Sequence, residues 1–194
     1  ISSLVNEEPP VDEPPAWKRY RTVGEVKQLD IYAPHTLSKA KQLPDLGTAD
    51  HKILETLRGL DPFDFEAMIV KVFQGLASQA AASHSIRPTP RTSDGGFDFE
   101  GDMVLLPPLG YRIPLKGEVK KYARTNPVGP KDVSRLVARL QRGEFGIFVT
   151  TSYFTGACQR EVLHDAYPVE LVHGLRLIGM LRANGMVSSG KLTI

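Results

Sequence analysis

From Ala49 onward apolar residues recur at helical spacing: Ile53, Leu54, Leu57 and Leu60 share one side, with Asp50 placed to cap the start and Gly59 near the end. A second helix follows at once. Asp61-Pro62 supplies a cap and a first-turn proline, and Phe65, Met68, Ile69, Val72 and Phe73 form a stripe that closes near Gly75. Beyond the small-residue connector Ser78 to Ser85 the period shortens. Ile86 to Asp94 reads as a strand and turn, Glu100 to Pro114 as a hairpin-type connection tipped by Pro107-Pro108 and Gly110, and Tyr111 to Tyr122 as the next strand. Lys131 to Arg142 returns to helical spacing, with Val133, Leu136, Val137 and Leu140 as its core stripe. Phe145 to Val149 is a near-continuous apolar run, the pattern of a strand buried on both faces. A helix over Thr155 to Asp165, a strand at Val169 to Val172 and a last helix from Gly174 through Arg182 complete the series, and a polar tail follows Asn184.

Strand, helix, strand, helix at this spacing predicts right-handed parallel crossovers. The fold class is therefore α/β: a mixed central sheet, an antiparallel meander first and parallel strands later, flanked by helices on both faces. Three stretches divide the chain. Residues 1–48 form a proline-rich linker or extended arm, residues 49–184 the folded domain, and residues 185–194 the tail. The arm begins acidic, with four acids and no base from Ile1 to Ala16, and has too little periodic apolar surface to order itself. Within it, Trp17-Lys18-Arg19-Tyr20-Arg21 reads as an anchor docking onto the domain, the alternative being aromatic and basic contact with nucleic acid.

Composition narrows the function less than charge placement does. The net charge is only +2, yet nine Lys/Arg and two acids fall between Arg112 and Arg142. Lys131, Arg135, Arg139 and Arg142 recur along one helix side as a basic ridge, a surface that a polyanion would neutralise. A lone cysteine, Cys158, excludes an internal disulfide framework and is read as buried and inert. His84, His164 and His173 lack zinc-ligand spacing. No apolar run approaches the ~18 residues of a membrane span. The start has no signal-like layout, and because the sequence begins at Ile1 it reads as a fragment, from which a separate targeting or recognition module could have been cut away.

The chemistry concentrates in Gly95-Gly96-Phe97-Asp98-Phe99 and Glu118-Val119-Lys120. Side chains alternate along a strand, so Glu118 and Lys120 share a face while Val119 enters the core. The same alternation isolates Asp98 between Phe97 and Phe99, which should both be buried on the other side. If the two strands pair, Asp98, Glu118 and Lys120 converge. Two carboxylates suit a hard divalent cation that keeps its other positions for water and substrate phosphate. A lysine beside them can steady or deprotonate an attacking water and screen charge on a phosphate. Asp94 is an alternative ligand, but it already serves as a turn-former ahead of two glycines. Arg87 and Arg91 are placed to meet phosphate, the equally open alternative being solvated loop arginines. Thr150-Thr151-Ser152 can cap the next helix or hold a phosphate, with capping favoured.

Asp98 followed by Glu118-x-Lys120, a glycine-rich turn before it and Tyr122 after it, resembles the PD-(D/E)xK nuclease superfamily and, within it, the Mrr-like restriction endonucleases. Phe65-Glu66, Thr92 to Asp98 and Gly146 to Ser152 extend the resemblance over residues 60–182, and the ordered blocks are far more specific than a bare D…ExK. Two positions depart from the common pattern: Phe97 stands where proline is usual before the aspartate, and Glu118 where glutamine is frequent. The resemblance implies a restriction-endonuclease-like core and a metal-dependent endodeoxyribonuclease of type IV kind, using Mg²⁺ with Mn²⁺ as a substitute. It implies metal ligation by Asp98, Glu118 and the Val119 carbonyl, water activation by Lys120, and outer-shell help from Glu66. DNA-backbone contacts are expected from Arg87, Arg91, Lys121, Arg124, Lys131, Arg135 and Arg139. The partners implied are double-stranded DNA and a second copy of the chain, a homodimer or higher oligomer for double-strand cleavage, in a prokaryotic cytoplasm beside the nucleoid. A Holliday-junction resolvase or repair nuclease, or a DNA-binding module without catalysis, are the other readings.

Overall fold

A computed structural model describes residues 47–79, 83–90, 96–105, 109–164 and 168–193. Its helices are α1 (Thr48–Gly59), α2 (Pro62–Gln79), α3 (Pro130–Val137), α4 (Gly156–His164) and α5 (Gly174–Ala183). Strands β1 (Ser83–His84), β2 (Arg87–Pro88), β3 (Phe99–Leu105), β4 (Tyr111–Lys120), β5 (Phe145–Thr150) and β6 (Val169–Val172) make the main sheet. The order is β1-β3-β4-β5-β6, with β2 also paired to β3. β1, β2 and β4 run antiparallel to β3, whereas β4, β5 and β6 are mutually parallel. The expected meander followed by parallel crossovers is thus the observed topology.

Strand alternation sorts the core into two clusters. Phe99, Leu115, Val119, Ile147 and Val149 face α1, α2 and α5, meeting Ile53, Leu57, Phe65, Ile69, Leu177 and Leu181. Phe148 and Leu171 face the other way, toward Val133 and Leu136 of α3 and Cys158 and Val162 of α4. Glu118 and Lys120 pair with Phe148 and Thr150, so they lie on this second face. Two charge-assisted hydrogen bonds tie the layers at the site's end of the sheet: Arg58, in the last turn of α1, donates from Nε to the Tyr122 carbonyl at 3.0 Å and from Nη2 to the Thr151 carbonyl at 2.7 Å.

Several boundaries differ from expectation, each for a local reason. The N-cap of α1 is Gly47, without a side-chain cap bond, and Asp50 in the first turn pairs instead with Arg182. α2 continues past Gly75 to Gln79, because that glycine serves close packing: a Cβ there would lie 1.8 Å from Asn184 Oδ1. Of the strand expected over Ile86 to Asp94 the described residues show only the short β2, and a further short strand, β1, lies in the stretch read as a connector. α3 stops at Val137, well short of Arg142. α4 is capped by Thr155, whose Oγ1 accepts from the Cys158 amide at 3.2 Å. Thr150 and Thr151 are buried and used elsewhere, Thr151 Oγ1 donating to the Tyr122 carbonyl at 2.8 Å. The expected polar tail contains a hairpin, β7 (Val187–Ser188) and β8 (Lys191–Leu192), with Val187 and Leu192 packed on the first cluster. Cys158 is fully buried and its thiol is pushed up to about 12, chiefly by burial, which matches the inert role expected of it. Among the described residues no helix is long and apolar enough to cross a membrane.

Gly117 marks where the two strands press closest. A Cβ there would sit 2.0 Å from ring carbons of Phe99, which is buried and stacked on Phe73 at 5.4 Å between centroids. Gly117→Ala is expected to lower stability by about 1–3 kcal/mol through overpacking, read as a shifted denaturation midpoint with an unchanged slope.

Candidate active site

The site forms where β3 begins beside the C-terminal half of β4. Phe99 lies opposite Gly117 in the ladder, and one residue earlier the Asp98 amide donates to the Gly117 carbonyl at 2.8 Å. The Asp98 carboxylate then accepts the Val119 amide through Oδ2 at 2.6 Å, which fixes it against the backbone of the ExK segment. In a strand the amide and carbonyl of one residue point toward the same edge. The Val119 carbonyl therefore turns toward the edge that Asp98 occupies.

Glu118 is only 6% exposed, although it is a carboxylate. A buried charge needs partners, and both of its oxygens have one. Lys120 Nζ approaches Oε1 at 3.0 Å and Arg139 Nη2 donates to Oε2 at 2.5 Å. Burial raises the pKa of Asp98 above the usual carboxylate value; the Val119 amide, Lys120 and Arg139 pull it down and Glu118 pushes it up, but the net direction stays upward. For Lys120, burial pulls the ammonium down, and the hydrogen bond and charge of Glu118, with Asp98 and Tyr122 behind it, more than reverse that. Asp98, Glu118, Lys120 and Arg139 thus form one electrostatic unit on one face of the sheet.

The predicted convergence of Asp98, Glu118 and Lys120 is present. Phe97 is placed differently from expectation. It is half-buried against the second cluster, on the opposite side from Phe99, because Gly96 at φ 62° redirects the chain before the strand begins. Two cations lie over its ring, Lys116 Nζ at 5.3 Å and the Arg139 guanidinium carbon at 5.1 Å from the centroid. Lys116 also bonds Glu100 at 2.6 Å, and Arg87 bonds the same carboxylate at 3.0 Å. Those two partners, Lys116 first, hold the Glu100 pKa below its usual value.

The remaining predicted residues divide. Arg139 does not stand on a helical ridge. With α3 ended at Val137 it turns inward to Glu118, while Lys131 and Arg135 remain exposed on the helix. Lys121 also departs from its expected DNA contact: its ammonium donates to the Leu60 carbonyl, with the Arg58 carbonyl at 3.5 Å, so it caps the end of α1. Arg124 is half-buried in the turn after β4, and Arg87 is largely exposed beside Glu100. Glu66 is half-buried on α2. Arg91 and the alternative ligand Asp94 lie outside the described residues. Sequence reasoning gave no site role to Phe97 or Lys116, and it read Arg139 as surface. The sequence carried no signal for Arg139, whose spacing with Lys131 and Arg135 is that of a surface ridge.

Asp98 and Glu118 would offer hard oxygen donors to a small divalent cation, with the Val119 carbonyl at the same edge, and that donor chemistry fits such an ion. Among the described residues no group of three or more His, Cys, Asp and Glu side chains gathers as a cation cage. A site of this kind leaves most coordination to water and phosphate.

Comparison with known proteins shows the family and the fold. The Mrr catalytic-domain model, described as a restriction endonuclease, matches residues 57–181. The solved MspJI restriction endonuclease in complex with a 27-mer oligonucleotide is similar at 30% identity and a TM-score of 0.66, over 77% of this chain and 35% of that one. The DNA modification-dependent restriction endonuclease AspBHI is similar at 32% identity and a TM-score of 0.60, over 92% of this chain and 46% of that one. This chain therefore spans less than half the length of either protein. No curated protein matches it. With the matched region holding β3, β4, the charged cluster and the crossovers behind it, the chain belongs to the Mrr catalytic-domain family of restriction endonucleases.

Proposed function

We propose that this chain is the cleavage domain of a type IV-like restriction enzyme that hydrolyses phosphodiester bonds in double-stranded DNA with a divalent cation, Mg²⁺ or in its place Mn²⁺. The observation that carries this reading is the meeting of Asp98, Glu118 and Lys120 at the start of β3, with the Val119 amide on Asp98 at 2.6 Å and Lys120 on Glu118 at 3.0 Å. Asp98, Glu118 and the Val119 carbonyl would hold the cation. When bound, that cation polarises the phosphate and lowers the pKa of a ligated water. The Lys120 ammonium, kept charged by Glu118, serves as a donor that orients the attacking water and screens charge developing on phosphate oxygens. Glu66 assists in the outer shell.

Lys131 and Arg135 are exposed and supply non-specific phosphate contact, with Arg87 and Arg124 at the flanks. Cutting both strands takes two such sites, so a dimer is the working unit on DNA. The family relatives that are similar over most of this chain are longer, and one is described as DNA modification-dependent. Selection of modified bases by a part of the protein outside this domain is the reading consistent with that.

Supercoiled plasmid, methylated and unmethylated, separates the possibilities when incubated with the chain and Mg²⁺. Nicked or linear product should appear with Mg²⁺ and vanish with EDTA, and Lys120→Ala should reduce the rate by about 10²–10³-fold, the usual cost of removing one donor to a developing charge. Equal rates for both proteins, or cleavage that survives EDTA, would refute the assignment. Asp98→Asn should abolish cleavage and melt no lower than the parent without metal, because burial raises the Asp98 pKa and so makes its charged form a burden on the folded state at neutral pH. A large drop in melting temperature would assign Asp98 to structure instead.

A further inference from the structure

Both carboxylate oxygens of Glu118 carry a positive group: Lys120 is on Oε1 and Arg139 on Oε2. Each oxygen keeps a further lone pair, but on the reading above Glu118 is also a ligand of the divalent cation, which is repelled by a positive group seated on the same oxygen, so withdrawal of one of the two favours loading. Lys120 sits two residues away on the same rigid strand and packs beside Val119. Arg139 is the looser of the two. The two side chains are exposed alike, 33% for Arg139 and 34% for Lys120, so the difference lies in anchoring: Arg139 lies beyond the end of α3, and its Nε is buried without a hydrogen-bond partner. An orphaned buried donor means that this pose leaves part of the guanidinium's hydrogen-bonding capacity unused.

We propose that Arg139 is a built-in counter-ion that occupies Glu118 until DNA arrives, and that it couples cation uptake to DNA binding. A scissile phosphate has to reach the same cation as Glu118, which brings its oxygens beside Arg139. Guanidinium and phosphate match as a two-pronged pair, so the phosphate draws Arg139 from Glu118 and frees Oε2 for the metal. Phe97 guides the exchange: its ring flanks the guanidinium at 5.1 Å and offers a face along which it can swing without losing all contact. Gly96 leaves the space in which this happens, since a Cβ there would lie 2.0 Å from Arg139 Nη1. By linkage, DNA must tighten metal binding by the same factor as metal tightens DNA binding. Free protein then holds little cation, and the loaded centre is assembled on the substrate. Arg139 acts here as a positioning residue, through Glu118.

The test is direct Mn²⁺ binding to the whole 194-residue chain, read from the electron paramagnetic resonance signal of the free ion, without turnover. It is run with and without a phosphorothioate duplex that resists cleavage, the duplex alone being subtracted. Without DNA, Arg139→Gln should bind Mn²⁺ about tenfold more tightly than the parent, a middling value for coupled sites. The duplex should tighten binding in the parent by a similar factor and leave Arg139→Gln almost unchanged. Arg139→Lys, which keeps the charge but loses the fork, should fall between them, and it replaces the Gln variant if that one fails to fold by circular dichroism. Glu118→Gln should lose the site in every case. If the parent and the Arg139 variants bind Mn²⁺ equally without DNA while Glu118→Gln abolishes binding, the cation site stands and the counter-ion role is overturned. If none of these proteins binds Mn²⁺ with or without duplex, the metal-nuclease reading falls and takes this inference with it.

Discussion

A carboxylate buried to the extent of Glu118 cannot stand alone in a protein interior, and the local architecture follows from that constraint. Its position on β4 is set by hydrophobic alternation, because Val119 must face α1, α2 and α5. The charge is then delivered to the opposite face, where α3 and α4 would otherwise continue the apolar layer over Phe148. Two cations, Lys120 and Arg139, answer it there, and they also offset the neighbouring Asp98. Removing one partner from a buried pair leaves an uncompensated charge, which costs far more than the intact pair contributes. Glu118 with its two cations is thus stable as a set and costly to take apart.

The strand that carries this charge is central. β4 pairs antiparallel with β3 on one side and parallel with β5 on the other. Neither edge is free to slip, since a one-residue shift would send Val119 to the polar face and Glu118 into the apolar one. The ladder with β3 fixes Asp98 opposite the ExK segment, and the ladder with β5 fixes the buried row Ile147, Phe148 and Val149 behind it. Register and site geometry are thus one specification.

Much of this was legible in the residues. Period-two alternation in Glu118-Val119-Lys120 predicted the face of each side chain, and the apolar run Phe145 to Val149 marked a strand covered on both sides. The topology followed from the alternation of strand and helix signals. What escaped was governed by long-range contact. Arg139 fits the ridge spacing with Lys131 and Arg135, and only the early end of α3 turns it inward, a stop that no proline or glycine announces before Gly143. Lys121 resembles any basic residue after a catalytic strand, yet the carbonyls that claim it belong to the end of α1, some sixty residues earlier. Phe97 obeyed alternation on paper, and the positive φ of Gly96 broke it. The segment after Asn184 looked polar because half of a small hairpin always is, while Val187 and Leu192 were enough to seat it.

Arg58 carries a mechanical consequence. Its guanidinium clamps the last turn of α1 onto carbonyls of Tyr122 and Thr151, which lie just past the ends of the two strands flanking the charged centre. Lys121 fastens the same helix end from the other direction. The C-terminal end of α1 is consequently pinned to the backbone just beyond Lys120, so neither strand end can shift against the helix without breaking a charge-assisted bond.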